Sequence, residues 1–286
     1  MEEQSLIERL ALERLETNLF RGYTRGERRR PRIYGGQVIA QSLLAAYETV
    51  EDRLCHSFHC YFIHPGDPTI PIIFEVDRAR DGGSFSTRRV IAVQRGRQIF
   101  NLAASFQTHE EGFEHQADAP QAPPWNSVQD DHELRRASMT EAQRKEDEED
   151  SDDAPLEIRT VGGPTGHGAA DGERTQRVWI RVRDPIPADQ RLQQVALAYL
   201  SDMTLLGTAL RPHGVRWDQV QSASLDHAMW FHRPIDANAW HLFAQDSPSA
   251  SGGRGLNLGY LFDQAGRLAA TCAQEGLMRP SRPRPA

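Results

Sequence analysis

Along the chain, apolar residues recur at helical spacing in two places and alternate with polar ones in several others. Behind Gly35-Gly36, the residues Ile39, Leu43, Tyr47 and Val50 stand at i, i+4, i+8 and i+11. That spacing predicts one face of an α-helix of about four turns. Leu192, Val195, Ala196, Tyr199, Leu200 and Met203 repeat the face later in the chain. An aromatic strand follows each helix, His59-Cys60-Tyr61-Phe62-Ile63-His64-Pro65 first and His227-Ala228-Met229-Trp230-Phe231-His232-Arg233-Pro234 second. A Gly-Gly pair then opens a long strand, at Gly82-Gly83 and again at Gly252-Gly253. Gly96-Arg97 and Gly266-Arg267 each mark the turn into an alanine-containing strand. Recurrence of these features in one order points to a duplication. Val178, Ile180 and Val182, and Leu256, Leu258, Tyr260 and Phe262, alternate as half-buried antiparallel strands do. Each half therefore predicts a helix lying on an antiparallel sheet, an α+β layer. Pairing the two sheets edge to edge would hide edges that otherwise aggregate.

Between the halves the periodicity disappears. The expected organisation is a first unit over residues 1–109, a polar linker over 110–175 and a second unit over 176–286. The middle tract contains QADAPQAPPW, an acidic block and GGPTGHGAADG, a composition that cannot bury enough surface to offset its ordering entropy. Trp125 is placed to pin its start, and His132 to Lys145 could form a short helix. Of the formal net charge of −7, the seven carboxylates between Glu146 and Asp153 account for all, so the rest is roughly neutral. Nothing here favours nucleic acid or an anionic membrane as a partner. Three cysteines, Cys55, Cys60 and Cys272, make no disulfide framework and fit a reducing compartment. The charged start MEEQSLIERL is no signal peptide, no apolar run is long enough to span a membrane, and SRPRPA is not a peroxisomal address, so a cytoplasmic location is expected.

Several motifs carry a family resemblance. Tyr34-Gly35-Gly36-Gln37-Val38-Ile39-Ala40-Gln41 resembles the first-helix signature of the type II (TesB-like) acyl-CoA thioesterases. Ser57-Phe58-His59-Cys60-Tyr61-Phe62 with Pro65-Gly66-Asp67, then Asp81 through Arg88, then Ala104-Ser105-Phe106-Gln107, resemble the strands of the same half. Leu200-Ser201-Asp202, Leu225 through Pro234, and Gln274-Glu275-Gly276-Leu277-Met278-Arg279 match in the second. The resemblance implies a double hotdog, in agreement with the duplication, and a catalytic set of Asp202, Ser224 and Gln274. Ser224 stands where family members have Thr; it keeps the hydroxyl but loses the methyl that restricts its rotamer. The resemblance also implies an acyl-CoA substrate, no cofactor, and assembly as a homodimer or homotetramer.

These residue types suit thioester hydrolysis. Asp202 can accept a proton from water, while Ser224 and Gln274 can hold and orient that water. Backbone N–H groups at the Gly35-Gly36 helix start are candidates for the oxyanion. Arg28, Arg29, Arg30 and Arg32 either meet the phosphates of coenzyme A or form a solvated basic loop, with Arg32 next to the glycine helix start. Asp226-His227 reads as structural, because neighbours on a strand face opposite ways. His56, His59 and His64 lack the spacing of a ligand cluster, so no metal is expected. No G-x-S-x-G elbow points to a serine hydrolase, and GGPTGHG lies outside any strand–helix context for a nucleotide. The alternatives are a double-hotdog enoyl-CoA hydratase, using Asp226 and His232, and a non-catalytic acyl-CoA sensor.

Overall fold

The computed structural model describes residues 5–24, 32–141, 155–163 and 172–281. The acidic block Glu146–Asp153 and Arg28, Arg29 and Arg30 lie outside the described residues.

In the first half a short helix, Leu6–Leu10, precedes strands β1 (Leu12–Glu16) and β2 (Leu19–Gly22). The first core helix, Gly35–Tyr47, is followed by β3 (Leu54–Phe62), β4 (Ile72–Asp81), β5 (Phe85–Gln94) and β6 (Arg97–Gln107). In the second half β7 (Leu156–Thr160) and β8 (Thr175–Val182) precede the second core helix, Gln190–Ser201. Then come β9 (Val220–Ser224), β10 (Asp226–Phe231), β11 (His241–Ser251), β12 (Arg254–Phe262) and β13 (Leu268–Pro280). One antiparallel sheet runs in the order β1-β2-β4-β5-β6-β3-β10-β13-β12-β11-β8-β7, with β9 on β13. Read from its middle outward, the order is the same in both directions, which is the duplication in three dimensions. The halves join where β3 pairs β10, with Cys60 opposite His227 and Phe58 opposite Met229. That register is symmetric about His59 and Ala228, and it removes the edge each half would otherwise expose.

The sheet wraps both helices. Ile39, Leu43 and Tyr47 are buried, as are Val195, Leu197 and Leu200, and one cluster runs from Phe58, Phe74 and Phe106 to Val178, Ile180 and Phe243. Full burial of each such side chain contributes about 1.5–3 kcal/mol. The first helix stops at Tyr47, so Val50 is buried beyond its end. The two helices lie antiparallel. The Tyr34 hydroxyl donates to the Tyr199 carbonyl at 3.0 Å near one end, and the Tyr47 hydroxyl donates to Gln194 Oε1 near the other.

Two expectations change. On β12 the buried positions are Gly255, Asn257, Gly259, Leu261 and, of the alternating set, Phe262, while Leu256, Leu258 and Tyr260 face the half-exposed side. Small residues are needed inside because a Cβ at Gly259 would run into Phe243 and Cys272. The tract 110–175 is also more than a linker, since Leu156–Thr160 forms β7 on β8. Pro, Gly and acidic neighbours hid the Leu156/Ile158 alternation. Earlier in that tract, Trp125 stacks on Trp240 at 5.2 Å, and the Pro123 carbonyl accepts from Trp179 Nε1 at 2.8 Å. Ala119, Ala122, Trp125 and Val128 thereby cover an outer cluster of Trp179, Trp240, Leu242, Phe262 and Leu268. The short helix is Asp131–Ala137, capped by Asp130, which accepts from the His132 and Glu133 N–H groups.

Candidate active site

The second core helix ends at Ser201, which places Asp202 as its C-cap. The first core helix begins with Gly35 behind Tyr34, which offers no side-chain cap. Antiparallel packing sets these two ends against each other. Asp202 Oδ2 accepts from the Gly36 N–H at 2.9 Å, so a carboxylate from one half caps the helix of the other. Glycine is required there: a Cβ at Gly35 would stand 2.7 Å from Asp202 Oδ2, and one at Gly36 would strike the Tyr199 carbonyl. Asp202 Oδ1 accepts from Gln274 Nε2 at 2.6 Å. The same Nε2 donates to Ser224 Oγ at 3.1 Å.

The sheet supplies the other two groups. Gln274 points inward from the middle of β13, opposite Asn257, and is fully buried. Ser224 ends β9, paired with Gly276, and the Leu225 N–H then donates to the Glu275 carbonyl at 2.9 Å before the chain enters β10. With Nε2 donating twice, the amide orientation is set by the carboxylate, and Gln274 Oε1 is left buried with no protein partner. Burial raises the Asp202 pKa above the usual carboxylate value, while the Gln274 and Gly36 donors work against that shift.

Asp202 and Ser224 open onto a cavity of about 520 Å³ between the halves. Its walls include Gly35, Val38, Phe62 and Phe100 from the first half and Thr204, Leu206 and Trp217 from the second. Arg32 and His64 also line it. Arg32 Nη2 donates to the Ser222 carbonyl at 3.2 Å, and Arg97 Nη2 donates to His64 Nε2 at 2.8 Å. The structure therefore gathers Asp202, Ser224, Gly35 and Arg32 around one space, with Gly36 and Gln274 behind, bonded to Asp202.

Two family models match the chain, one in each half. Residues 26–107 match the family model for the acyl-CoA thioesterase N-terminal domain, and residues 147–277 match the acyl-CoA thioesterase model. Acyl-CoA thioesterase 2 of Haemophilus influenzae is 39% identical over 280 residues, spanning 96% of this chain and 97% of its own. This chain belongs to the acyl-CoA thioesterase family. Acyl-coenzyme A thioesterase 8 of Mus musculus is 40% identical, over 94% of this chain and 87% of the relative. Among solved structures, the acyl-CoA thioesterase II TesB2 of Mycobacterium marinum superposes with a TM-score of 0.78 at 40% identity, covering 97% of this chain and 99% of the other. The fold is the double hotdog.

Within this thioesterase framework the other sequence candidates fall into structural places. His227 is fully buried, and its Nε2 faces Ser201 Oγ at 3.0 Å. The Ser201 hydroxyl itself donates to the Ala198 carbonyl, so the imidazole carries its proton on Nε2. Asp226 accepts the Glu275 N–H at 2.8 Å, and His232 lies against Thr271. His56, His59 and His64 are dispersed onto Ser105, Trp230 and Arg97 respectively.

The pseudo-twofold also identifies what stands at the corresponding place in the first half. Four residues before Ala228 is Ser224; four before His59 is Cys55. Gln274 follows the partner of Ala228, and Ala104 follows the partner of His59. Tyr47 occupies the helix end, accepting from the Cys55 N–H at 2.8 Å and meeting Phe106 edge-on. Asp189 caps the opposing helix. Tyr47 thus stands at this helix end where Asp202 stands at the other, so the cavity-facing carboxylate occurs at one of the two junctions among the described residues. Sequence reasoning missed Thr204, Leu206, Trp217 and His64 as cavity walls, because Thr204 and His64 lie in turns and Leu206 and Trp217 in the 3-10 helices Leu205–His213 and Trp217–Gln219, none of which carries a periodicity to read.

Proposed function

We propose that the protein hydrolyses fatty acyl-CoA to free fatty acid and coenzyme A, with Asp202 as general base toward water. The observation that carries this reading is a half-buried carboxylate, held by the Gly36 N–H and Gln274, at the wall of a largely apolar cavity. A water bonded to Asp202 gives its proton to the carboxylate as its oxygen attacks the thioester carbonyl carbon. The Ser224 oxygen accepts from Gln274, so its O–H is directed to the water or to the developing oxyanion. The Gly35 N–H, first in its helix, serves the oxyanion, while the Gly36 N–H serves Asp202. Collapse breaks the C–S bond and expels a thiolate, a good leaving group because a thiol pKa is about 8.5. The proton on Asp202 returns to that sulfur. Gln274 acts through Asp202 and Ser224 rather than on the substrate. Phe62, Phe100, Val38 and Leu206 fit an acyl chain, and Arg32 with the His64–Arg97 pair fits the phosphates of coenzyme A.

Neither alternative gains support: Asp226 and His232 are engaged elsewhere and do not line the cavity, and the polar set at Asp202 is intact. A first unit over 1–109 and a second unit over 176–286, with 116–128 and strand β7 of the intervening tract 110–175 laid on the second, is proposed as the domain plan. A cytoplasmic location and a homodimer or homotetramer are proposed from the sequence. Among the described residues no helix is long and apolar enough to cross a membrane.

The test is release of free thiol from a panel of acyl-CoA esters of increasing chain length. Asp202→Asn should lower kcat at least ~100-fold, the scale of losing a general base. Arg32→Ala should raise KM with kcat little changed, as expected for loss of uniform binding. Wild-type protein that releases no thiol from any ester would sink the proposal.

A further inference from the structure

Two residues beyond Asp202, Thr204 has φ 67° and ψ −23°, in the left-handed region. A β-branched side chain is disfavoured there, because its Cβ crowds the following backbone. The turn is closed by the Met203 N–H donating to the Leu200 carbonyl at 3.0 Å and the Gly207 N–H to the Thr204 carbonyl at 3.1 Å. Neither bond requires a threonine. The side chain is instead tied down by Gln245, whose Nε2 donates to Thr204 Oγ1 at 2.7 Å. Gln245 is 2% exposed, and its Oε1 accepts from the fully buried Thr208 hydroxyl at 2.7 Å. It projects from β11, which is paired on both sides, with Gln176 and Gly259 opposite. A buried amide with both ends committed, on a strand that cannot shift, is a rigid anchor for an otherwise unfavourable turn.

We infer that Gln245 is a positioning residue for hydrolysis: by anchoring Thr204 in the left-handed turn, it holds the Asp202 carboxylate between the Gly36 N–H and Gln274. This rests on Asp202 acting as the base. The upstream side of Asp202 is set by the helix, and only Met203 separates it from Thr204. Released from Gln245, Thr204 relaxes toward negative φ, and the carboxylate loses bonds that now measure 2.9 and 2.6 Å.

The experiment compares Gln245→Leu, Thr204→Val and the double variant Gln245→Leu with Thr204→Asn, beside Asp202→Asn, in the full chain. The single variants should lose at least ~10-fold in kcat with KM nearly unchanged, the penalty for misplacing a reacting group by a fraction of an ångström or more. Their acid limb should move to higher pH, since the two donors that favour the ionised carboxylate are loosened. Asparagine adopts the left-handed region without an anchor, so the double variant should recover most of the lost kcat. Thr204→Val carries the test if Gln245→Leu fails to fold. Unchanged kcat and acid limb in the single variants, with only a lower melting temperature, would overturn the inference while leaving an inactive Asp202→Asn to uphold the base. Loss of kcat that the double variant does not recover would likewise overturn it. Full activity in Asp202→Asn would instead remove the base itself.

Discussion

To act as the proposed base Asp202 must be ionised, yet desolvation at its site favours the protonated form. The acid limb of kcat/KM should therefore lie above the ordinary aspartate value of about 3.9, with activity falling as pH drops through the raised pKa. The folded protein binds this proton more tightly than the unfolded chain does, so stability declines as pH rises through the same window. At neutral pH, Asp202→Asn should lose activity, and an acid limb at the ordinary carboxylate value in the wild type would contradict this account. His227 behaves in the opposite sense. Burial lowers its pKa to about 3, so the neutral ring belongs to the fold. Its contribution is complete above the unfolded value near 6.5 and is lost as pH falls toward 3, at about 1.4 kcal/mol per pH unit. Denaturation midpoints should fall across that interval, and His227→Gln should flatten the slope. Both residues stand out in the sequence, but their difference in role does not. It arises because one faces the cavity and the other is enclosed by Phe58 and Ser201.

At the scale of elements, the decisive contact is the start of one helix against the end of the other. The positive end of the first helix dipole favours the Asp202 charge, which offsets part of its desolvation. Gly36→Ala places a methyl against the Tyr199 carbonyl and the Tyr34 ring, and a backbone carbonyl cannot swing away. The expected cost is about 1–3 kcal/mol of stability, together with a loss of kcat, because the helix ends must separate. Gly83→Ala, which meets nothing within 4 Å, is the control and should be close to neutral in both melting and thiol-release assays. The helix faces were legible because their periodicity is strong. The facing of β12 was not, since Leu256, Leu258 and Tyr260 alternate correctly but on the outer side. An alternating pattern reports two faces; it does not say which one a neighbouring helix, loop or aromatic ring will crowd.

For the molecule as a whole, Gly36 and Asp202 belong to different halves, joined through β3 and β10 and through the helix pair. Neither half alone can assemble the site. Residues 1–109 and residues 110–286, expressed apart, should each release no thiol, and activity should return only where both are present and associated. Activity from 110–286 alone would refute a site that needs the first half. The asymmetry of the duplication has the same root. Only one of the two helix-end junctions keeps a cavity-facing carboxylate, while Tyr47 and Phe106 fill the other.

The sequence by itself determined the duplication and the two core helices; its motifs, through the family they resemble, pointed to the hotdog class and to Asp202, Ser224 and Gln274, which the fold brings within hydrogen-bond distance of one another. These are properties of local periodicity and of residue strings, and they survive without knowing where one half lies on the other. Tertiary structure alone decided that Gly36 binds the carboxylate rather than the oxyanion, and that Gln274 stands behind Asp202 and Ser224 instead of facing the cavity. It also decided that Trp125 and its neighbours cover the second half, and that Thr204 is held in a left-handed turn by a strand residue 41 positions away. Each of these depends on distances between segments remote in the chain, which no pattern within a segment encodes.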